Sequence, residues 1–344
     1  MDFSRYFLFF VIYIFIIMPN YKTNKTRIIM PKVLLLTEGS LPLLDLTKKI
    51  KPNNWDLITI DQKQNIIDTN LIEEADFLLS FSGKIKDEIL LNAKNIKLIQ
   101  LCSAGFDGIN RKITDEMNIP IANNGGANSI PVAEFTMTLI LSTIRHIVDA
   151  DNNTRQGLWD YKLQSKNSYE LFGSTVGIIG AGKIGTRVIE MLQGFNTDIL
   201  YTDIITSPKA ENLSAKKVSI EYLLENSDII SLHVPHDKST DKMINKKSLN
   251  LMKSSAIIIN TCRGGVINEK DLYEHLITSK IRGAGLDVFE EEPINKENPL
   301  INLNNVVLAP HFAGKSMESY PRRVNFAFDN MKRVWDGEKP LSLV

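Results

Sequence analysis

Thr175-Val-Gly-Ile-Ile-Gly180-Ala-Gly182-Lys183-Ile184-Gly185 carries G-x-G-x-x-G directly behind a short apolar run and ahead of a helix-like one. Each glycine has its own reason. Gly180 permits a tight turn out of a strand, Gly182 lets a pyrophosphate approach the backbone, and Gly185 lets helix and strand pack closely. The helix start adds free N–H groups and a partial positive charge for phosphates. Asp203 stands 18 residues beyond Gly185, closing Ile199-Leu-Tyr-Thr-Asp. A carboxylate there accepts hydrogen bonds from the adenosine ribose. Glycines placed for packing alone would not need that acid, so the pattern predicts dinucleotide binding. The carboxylate repels a 2′-phosphate and Ile204-Ile-Thr-Ser-Pro holds no arginine to bind one. NAD is therefore favoured over NADP, with Lys209 the basic residue close behind.

The pattern extends in both directions. Downstream, apolar runs at Val176–Ile179, Asp198–Tyr201, Ile229–His233, Ala256–Asn260, Gly283–Val288 and Val306–Ala309 alternate with helix-like segments. Upstream, runs at Val33–Leu36, Leu57–Ile60, Phe77–Phe81, Leu98–Leu101 and Pro120–Ala122 do the same. Short strands alternating with helices imply parallel sheets covered on both faces. The fold class is α/β: two doubly wound parallel-sheet domains, a flavodoxin-like one and an inserted Rossmann domain. A turn-rich break at Asn123–Pro131 leads into a predicted helix from Val132 to Thr154, apolar nearly all round (Phe135, Met137, Leu139, Ile140, Leu141, Ile144, Ile147, Val148). Such a helix is expected to be buried between domains or subunits. A last helix near Ser316–Asp336 leaves no material for a third domain. The expected division is 30–127 with 312–344 for the first domain and 128–311 for the second.

The chain has 344 residues, enough for two domains, with 40 Lys+Arg against 40 Asp+Glu. Zero net charge argues against nucleic-acid binding, which needs a basic excess. Two cysteines, Cys102 and Cys262, make no disulfide framework and point to a reducing, cytoplasmic compartment. Residues 6–18 are an unbroken apolar run. They read as a membrane anchor, as the core of a signal peptide, or as lying ahead of a true start at Met30, which opens directly into the first strand. Residues 1–29 therefore stand outside the fold argument. Without them, 36 basic residues face 39 acidic ones. Overall charge then gives an anionic substrate no help, and attraction must be local.

Of five histidines, His146 and His275 fall in helical stretches and read as structural. His233 and His236 flank Val234-Pro235 just past a strand end and are placed to line a cofactor edge. His311 follows Val306-Val-Leu-Ala-Pro, so it sits at a strand's carboxyl end, where ligands bind in this fold. Two neighbouring strands end in Thr261-Cys262-Arg263 and in Asp287-Val-Phe-Glu-Glu-Glu292. An arginine fork holds a carboxylate or carbonyl oxygen. A histidine moves the proton as hydride is transferred, and a glutamate fixes its tautomer.

The ordered motifs G-x-G-x-x-G, Asp203, His233-Val-Pro, Thr261-Cys-Arg263-Gly, Gly285-Leu-Asp287-Val-Phe-x-x-Glu292-Pro and Pro310-His311 closely resemble the D-isomer-specific 2-hydroxyacid dehydrogenases, from about Met30 to the C-terminus. The resemblance implies that Arg263 orients the substrate, Glu292 pairs with the imidazole and His311 donates the proton in reduction. It implies that Lys183 and Ile184 meet the pyrophosphate. It puts Val234, Pro235, Thr261, Cys262 and Asp287 along the ribose and nicotinamide. Ser103-Ala104-Gly105-Phe-Asp107 matches the family's substrate loop, with the N–H groups of Ala104 and Gly105 on the substrate carboxylate and Asn128 at the cleft. A homodimer and closure of the cleft are implied too, and no metal is expected.

Departures bear on substrate. Phosphoglycerate dehydrogenases of the family carry Arg-Ser after the third strand. Here Ser80-Phe-Ser-Gly83-Lys84 has one basic residue, which disfavours a phosphorylated substrate. Glu292 disfavours a formate dehydrogenase, where glutamine stands. The expected activity is NAD-dependent interconversion of a small unphosphorylated 2-keto acid and its D-2-hydroxy acid. The rivals are an NAD(H)-sensing, corepressor-like binding protein and a phosphite- or formate-type dehydrogenase.

Overall fold

A computed structural model describes residues 30–38, 44–64, 68–159 and 167–344. The apolar run at 6–18 lies outside them. Twelve strands form two sheets among these residues. The first holds β1 (Lys32–Thr37), β2 (Asp56–Asp61), β3 (Phe77–Ser80), β4 (Leu98–Leu101) and β5 (Ile121–Ala122). Its order is β2-β1-β3-β4-β5, parallel throughout. This is the flavodoxin-like order. The second holds β6 (Thr175–Ile179), β7 (Asp198–Thr202), β8 (Lys216–Lys217), β9 (Ile229–Leu232), β10 (Ile257–Asn260), β11 (Gly283–Leu286) and β12 (Val306–Leu308). Its order is β12-β11-β10-β9-β6-β7-β8. Counted from its own first strand, that is the Rossmann order 3-2-1-4-5-6 with a seventh strand added.

The strands are apolar runs because helices cover both faces of each sheet. Every residue of β3, β4, β9, β10 and β11 is buried. The helix Ser129–Arg145 packs on β10, β11 and the helix Gly185–Leu192 of the second sheet. The helix Ser319–Trp335 packs on β4 and on the helix Leu44–Ile50 of the first. Phe328 from it meets Trp55, which stacks on Phe77 with ring centroids 5.4 Å apart. The chain thus returns to the first sheet at its end.

Two elements depart from the sequence expectation. The long helix expected from Val132 to Thr154 breaks at His146, whose φ of 51° is left-handed. His146 N–H closes the first helix on Ser142 O, and a second helix, Ile147–Arg155, begins. Ile147 and Val148 are consequently exposed in the single chain rather than buried. The edge strand β8 is two exposed lysines, with no apolar signal to read. Among the described residues, no helix is long and apolar enough to cross a membrane.

Candidate active site

The carboxyl ends of both sheets face one cleft of about 490 Å³. β6 delivers the glycine-rich turn. At Gly180 φ is +95°, and an added Cβ would lie 2.5 Å from His233 O. A Cβ at Gly185 would lie 2.0 Å from Gly180 O, whereas one at Gly182 would meet nothing within 4 Å. The N–H groups of Gly182, Lys183 and Ile184 have no acceptor among the described residues. Three adjacent free donors at a helix start fit a diphosphate. Asp203 directly follows β7, the neighbouring strand. Its carboxylate accepts from Ala181 N at 2.7 Å and Ile205 N at 3.2 Å, which fixes it beside the turn. Lys183 donates to Gly125 O at 2.6 Å, tying this turn to the segment between the two sheets.

Val234, Pro235, Thr261, Cys262 and Asp287 all line the cleft, as do Ala104, Gly105, Asn128 and Ile184. Thr261 is buried and shares a 2.9 Å hydrogen bond with Thr136. Cys262 lies 3.0 Å from Asn260 Oδ1, and burial pushes its thiol up to about 11. Such a thiol stays protonated at neutral pH and is a poor redox sensor. His233 lines the cleft with Nε2 2.9 Å from Ser231 Oγ and Nδ1 enclosed without a partner. Burial lowers it to about 3, so it stays neutral.

Arg263, Glu292 and His311 converge from the ends of β10, β11 and β12. Glu292 Oε2 lies 2.7 Å from His311 Nδ1, which leaves Nε2 free toward the cleft. Burial alone would raise the Glu292 carboxyl. The His311 bond and charge, the Phe289 N–H at 3.1 Å and Arg263 outweigh it and hold the carboxyl below its ordinary value. His311 has a φ of +51°, unfavourable for a residue with a side chain. Asp287 secures that conformation. Its carbonyl accepts from His311 N at 2.8 Å, and its carboxylate accepts from Phe312 N at 2.6 Å and Ala313 N at 2.9 Å. Asp287 is therefore a buried brace under His311 as well as part of the lining.

Arg263 crosses the cleft. Its Nε donates to Asp107 Oδ2 at 2.6 Å and its Nη1 to Cys262 O at 2.5 Å. Its Nη2 lies where a Cβ at Gly105 would sit, 1.3 Å away, so glycine there is what admits the guanidinium. The carbonyls of Ala104 and Gly105 are bonded to Asn123 Nδ2 and Ser103 Oγ, while the N–H groups of both donate to nothing among the described residues. This loop and the arginine present donors to one small anion.

Two functional residues were not found by sequence reasoning. Asp107 reads in the sequence only as part of its loop, and nothing local announces that it meets Arg263 from 156 positions away. Arg323 lines the cleft from the last helix. Its signal was present: it shares the helix face of Val324, Ala327 and Met331, all buried.

Fold and site together point to a dinucleotide-dependent oxidoreductase of two α/β domains with one cleft lined by residues of both. The family model of the D-isomer specific 2-hydroxyacid dehydrogenase NAD binding domain matches residues 137–313. The chain is 37% identical to a glyoxylate reductase of Korarchaeum cryptofilum, over 79% of this chain and 83% of that one. It is 38% identical to a hydroxypyruvate reductase of Thermotoga maritima, over 73% and 82% respectively. The crystal structure of a glyoxylate reductase from Paecilomyes thermophila superposes with a TM-score of 0.82 at 25% identity, covering 92% of this chain and 98% of that one. The chain belongs to the D-isomer specific 2-hydroxyacid dehydrogenase family. It is an oxidoreductase that interconverts a 2-keto acid and its 2-hydroxy acid with a nicotinamide dinucleotide.

Proposed function

We propose that the protein is an NAD-dependent reductase of a small, unphosphorylated 2-keto acid such as glyoxylate or hydroxypyruvate, giving the D-2-hydroxy acid. The observation that carries this is the His311–Glu292 pair at 2.7 Å lining one cleft with Arg263 and with the N–H groups of Ala104 and Gly105, which have no acceptor among the described residues. Those N–H groups and the Arg263 fork hold the substrate carboxylate and keto oxygen. A reduced nicotinamide, when bound, would supply the hydride. His311 Nε2 gives its proton to the keto oxygen as negative charge develops there, and Glu292 steadies the resulting imidazole from Nδ1. Gly182, Lys183 and Ile184 would hold the diphosphate, and Asp203 would take the ribose hydroxyls. A carboxylate anchored by two N–H groups supports NAD, because a 2′-phosphate would meet fixed negative charge.

The reading assigns 30–127 and 312–344 to the substrate domain and 128–311 to the nucleotide domain. It takes the protein to be cytoplasmic, in keeping with two free thiols. It also takes the chain to be a homodimer. Ile147, Val148, Leu158, Trp159 and Phe172 are exposed near one another in sequence, with Trp159 82% exposed, and a second copy would cover them. The test is a panel of 2-keto acids with NADH and NADPH, followed by nicotinamide absorbance, with light scattering for mass. Turnover of glyoxylate or hydroxypyruvate with NADH preferred is expected. NADH binding without turnover on the whole panel would sink the reading.

A further inference from the structure

Arg323 is 8% exposed, and among the described residues it is the one lysine or arginine that is buried. Buried charges are ordinarily paired with an acid. Arg323 makes no salt bridge among the described residues. Its Nε donates to Cys102 O at 2.7 Å and its Nη1 to Gly314 O at 3.3 Å, and its guanidinium stands 5.1 Å from the Tyr320 ring. Nη2 has no hydrogen-bond partner among the described residues. The two carbonyls are telling. Cys102 immediately precedes the Ser103–Asp107 loop, and Gly314 lies in the Phe312–Lys315 turn that directly follows His311. Arg323 therefore joins the loop that offers N–H donors to the turn that follows the proton donor.

The charge balance of the cleft makes Arg323 matter. Its lining includes Lys84, Arg263, Lys315 and Arg323 against Glu38, Asp107, Asp287 and Glu292. Arg263 is already paired with Asp107 at 2.6 Å. Lys84 and Lys315 are exposed, so salt screens them. Arg323 is the cation that is both buried and unmatched. Without it the four carboxylates of the lining would face three permanent cations, and only the proton that His311 carries would restore the balance.

We propose that Arg323 determines the affinity of this cleft for anions: it positions the Ser103–Asp107 loop against the His311 turn and supplies the buried charge that a substrate carboxylate neutralises. This rests on reading the cleft as a 2-keto acid site. The probe is oxalate, a non-reacting anion, titrated into the NADH complex and followed by nicotinamide fluorescence. Arg323→Gln is expected to weaken oxalate roughly tenfold or more and to raise the keto-acid KM as much, with a smaller fall in kcat and NADH affinity unchanged. Arg323→Lys, which keeps the charge, is expected to recover most of the oxalate affinity. Equal affinity in Arg323→Gln and the unaltered protein would overturn the proposal, as would equal damage in both variants. If Arg323→Gln does not fold, the salt dependence of the unaltered protein decides. Attraction by a buried cation predicts less than about a threefold loss of oxalate affinity from 20 to 200 mM salt, and a steep loss assigns it to Lys84 and Lys315 instead. A protein that binds oxalate through Arg323 yet reduces no 2-keto acid would sink the functional reading alone. Turnover with Arg323-independent oxalate binding would sink this one alone.

Discussion

Asp107 of the first domain accepts a 2.6 Å hydrogen bond from Arg263 Nε of the second, across the mouth of the cleft. One bond thus aims the arginine fork and couples the two domains. Both side chains are partly exposed, so solvent screening limits its worth to about 1 kcal/mol. Asp107→Asn should raise the 2-keto acid KM about fivefold, with kcat lowered less. Gly105→Ala should do more, because its Cβ would displace Nη2 outright. Steady-state kinetics with NADH saturating decides this, and an unchanged KM in both variants would refute the aiming role.

Asp287 braces His311 from beneath with three hydrogen bonds to consecutive backbone N–H groups. Asn at 287 would turn an amide against Phe312 or Ala313 N–H and release the left-handed turn at His311. The expected outcome is a kcat lower by about 10- to 100-fold, since a misplaced proton donor forfeits much of general acid catalysis. NADH affinity measured by fluorescence should stay within about twofold. A variant that keeps full kcat would show that the turn holds itself.

The pair 292 and 311 should separate into donor and support. His311→Ala removes the proton donor and should lower kcat by about 10²–10⁴ while NADH still binds. Glu292→Gln keeps a hydrogen-bonding partner but no charge, and should cost less than His311→Ala. The Glu292 carboxyl sits below its ordinary 4.5 in the folded protein. Its contribution to stability is therefore complete above about pH 4.5 and lost as pH falls below that. Equal kcat for both variants would contradict the division of roles.

The legible part of the fold was whatever periodicity and glycine chemistry encode. Strands such as Ile257–Asn260 are fully buried and read as uninterrupted apolar runs, and Gly180-x-Gly182-x-x-Gly185 encodes its own turn. Strand ends were legible as well, so Arg263, Glu292 and His311 were found as termini of successive strands. What escaped was set by tertiary contact. His146 looks like any helical residue, and nothing local announces its left-handed φ. β8 forms because Lys216 and Lys217 lie beside β7, not because lysines favour strands. Asp107 and Arg323 acquire their roles only when distant segments meet. Arg323 did leave a trace, as a charge on an apolar helix face, which is the kind of local inconsistency that marks functional positions.

His233 gives the pH dependence of stability a sign that can be tested. Burial lowers its ring from 6.5 to about 3, so between those values the unfolded chain holds a proton that the folded protein refuses. Stability rises with pH wherever the unfolded state binds more protons. The penalty is absent above about pH 6.5 and grows as pH falls toward 3, with a slope approaching about 1.4 kcal/mol per pH unit, the value for one proton. His233→Asn removes the titrating ring, and its urea midpoint should fall less steeply than that of the unaltered protein between pH 7.5 and 5. Loss of the Nε2 contact to Ser231 lowers the variant's midpoint equally at both pH values, so the gap between the two midpoints should shift in the variant's favour from pH 7.5 to pH 5. Parallel midpoint curves would mean that the folded protein lets His233 protonate, and the neutral ring beside the cofactor cleft would have to be abandoned.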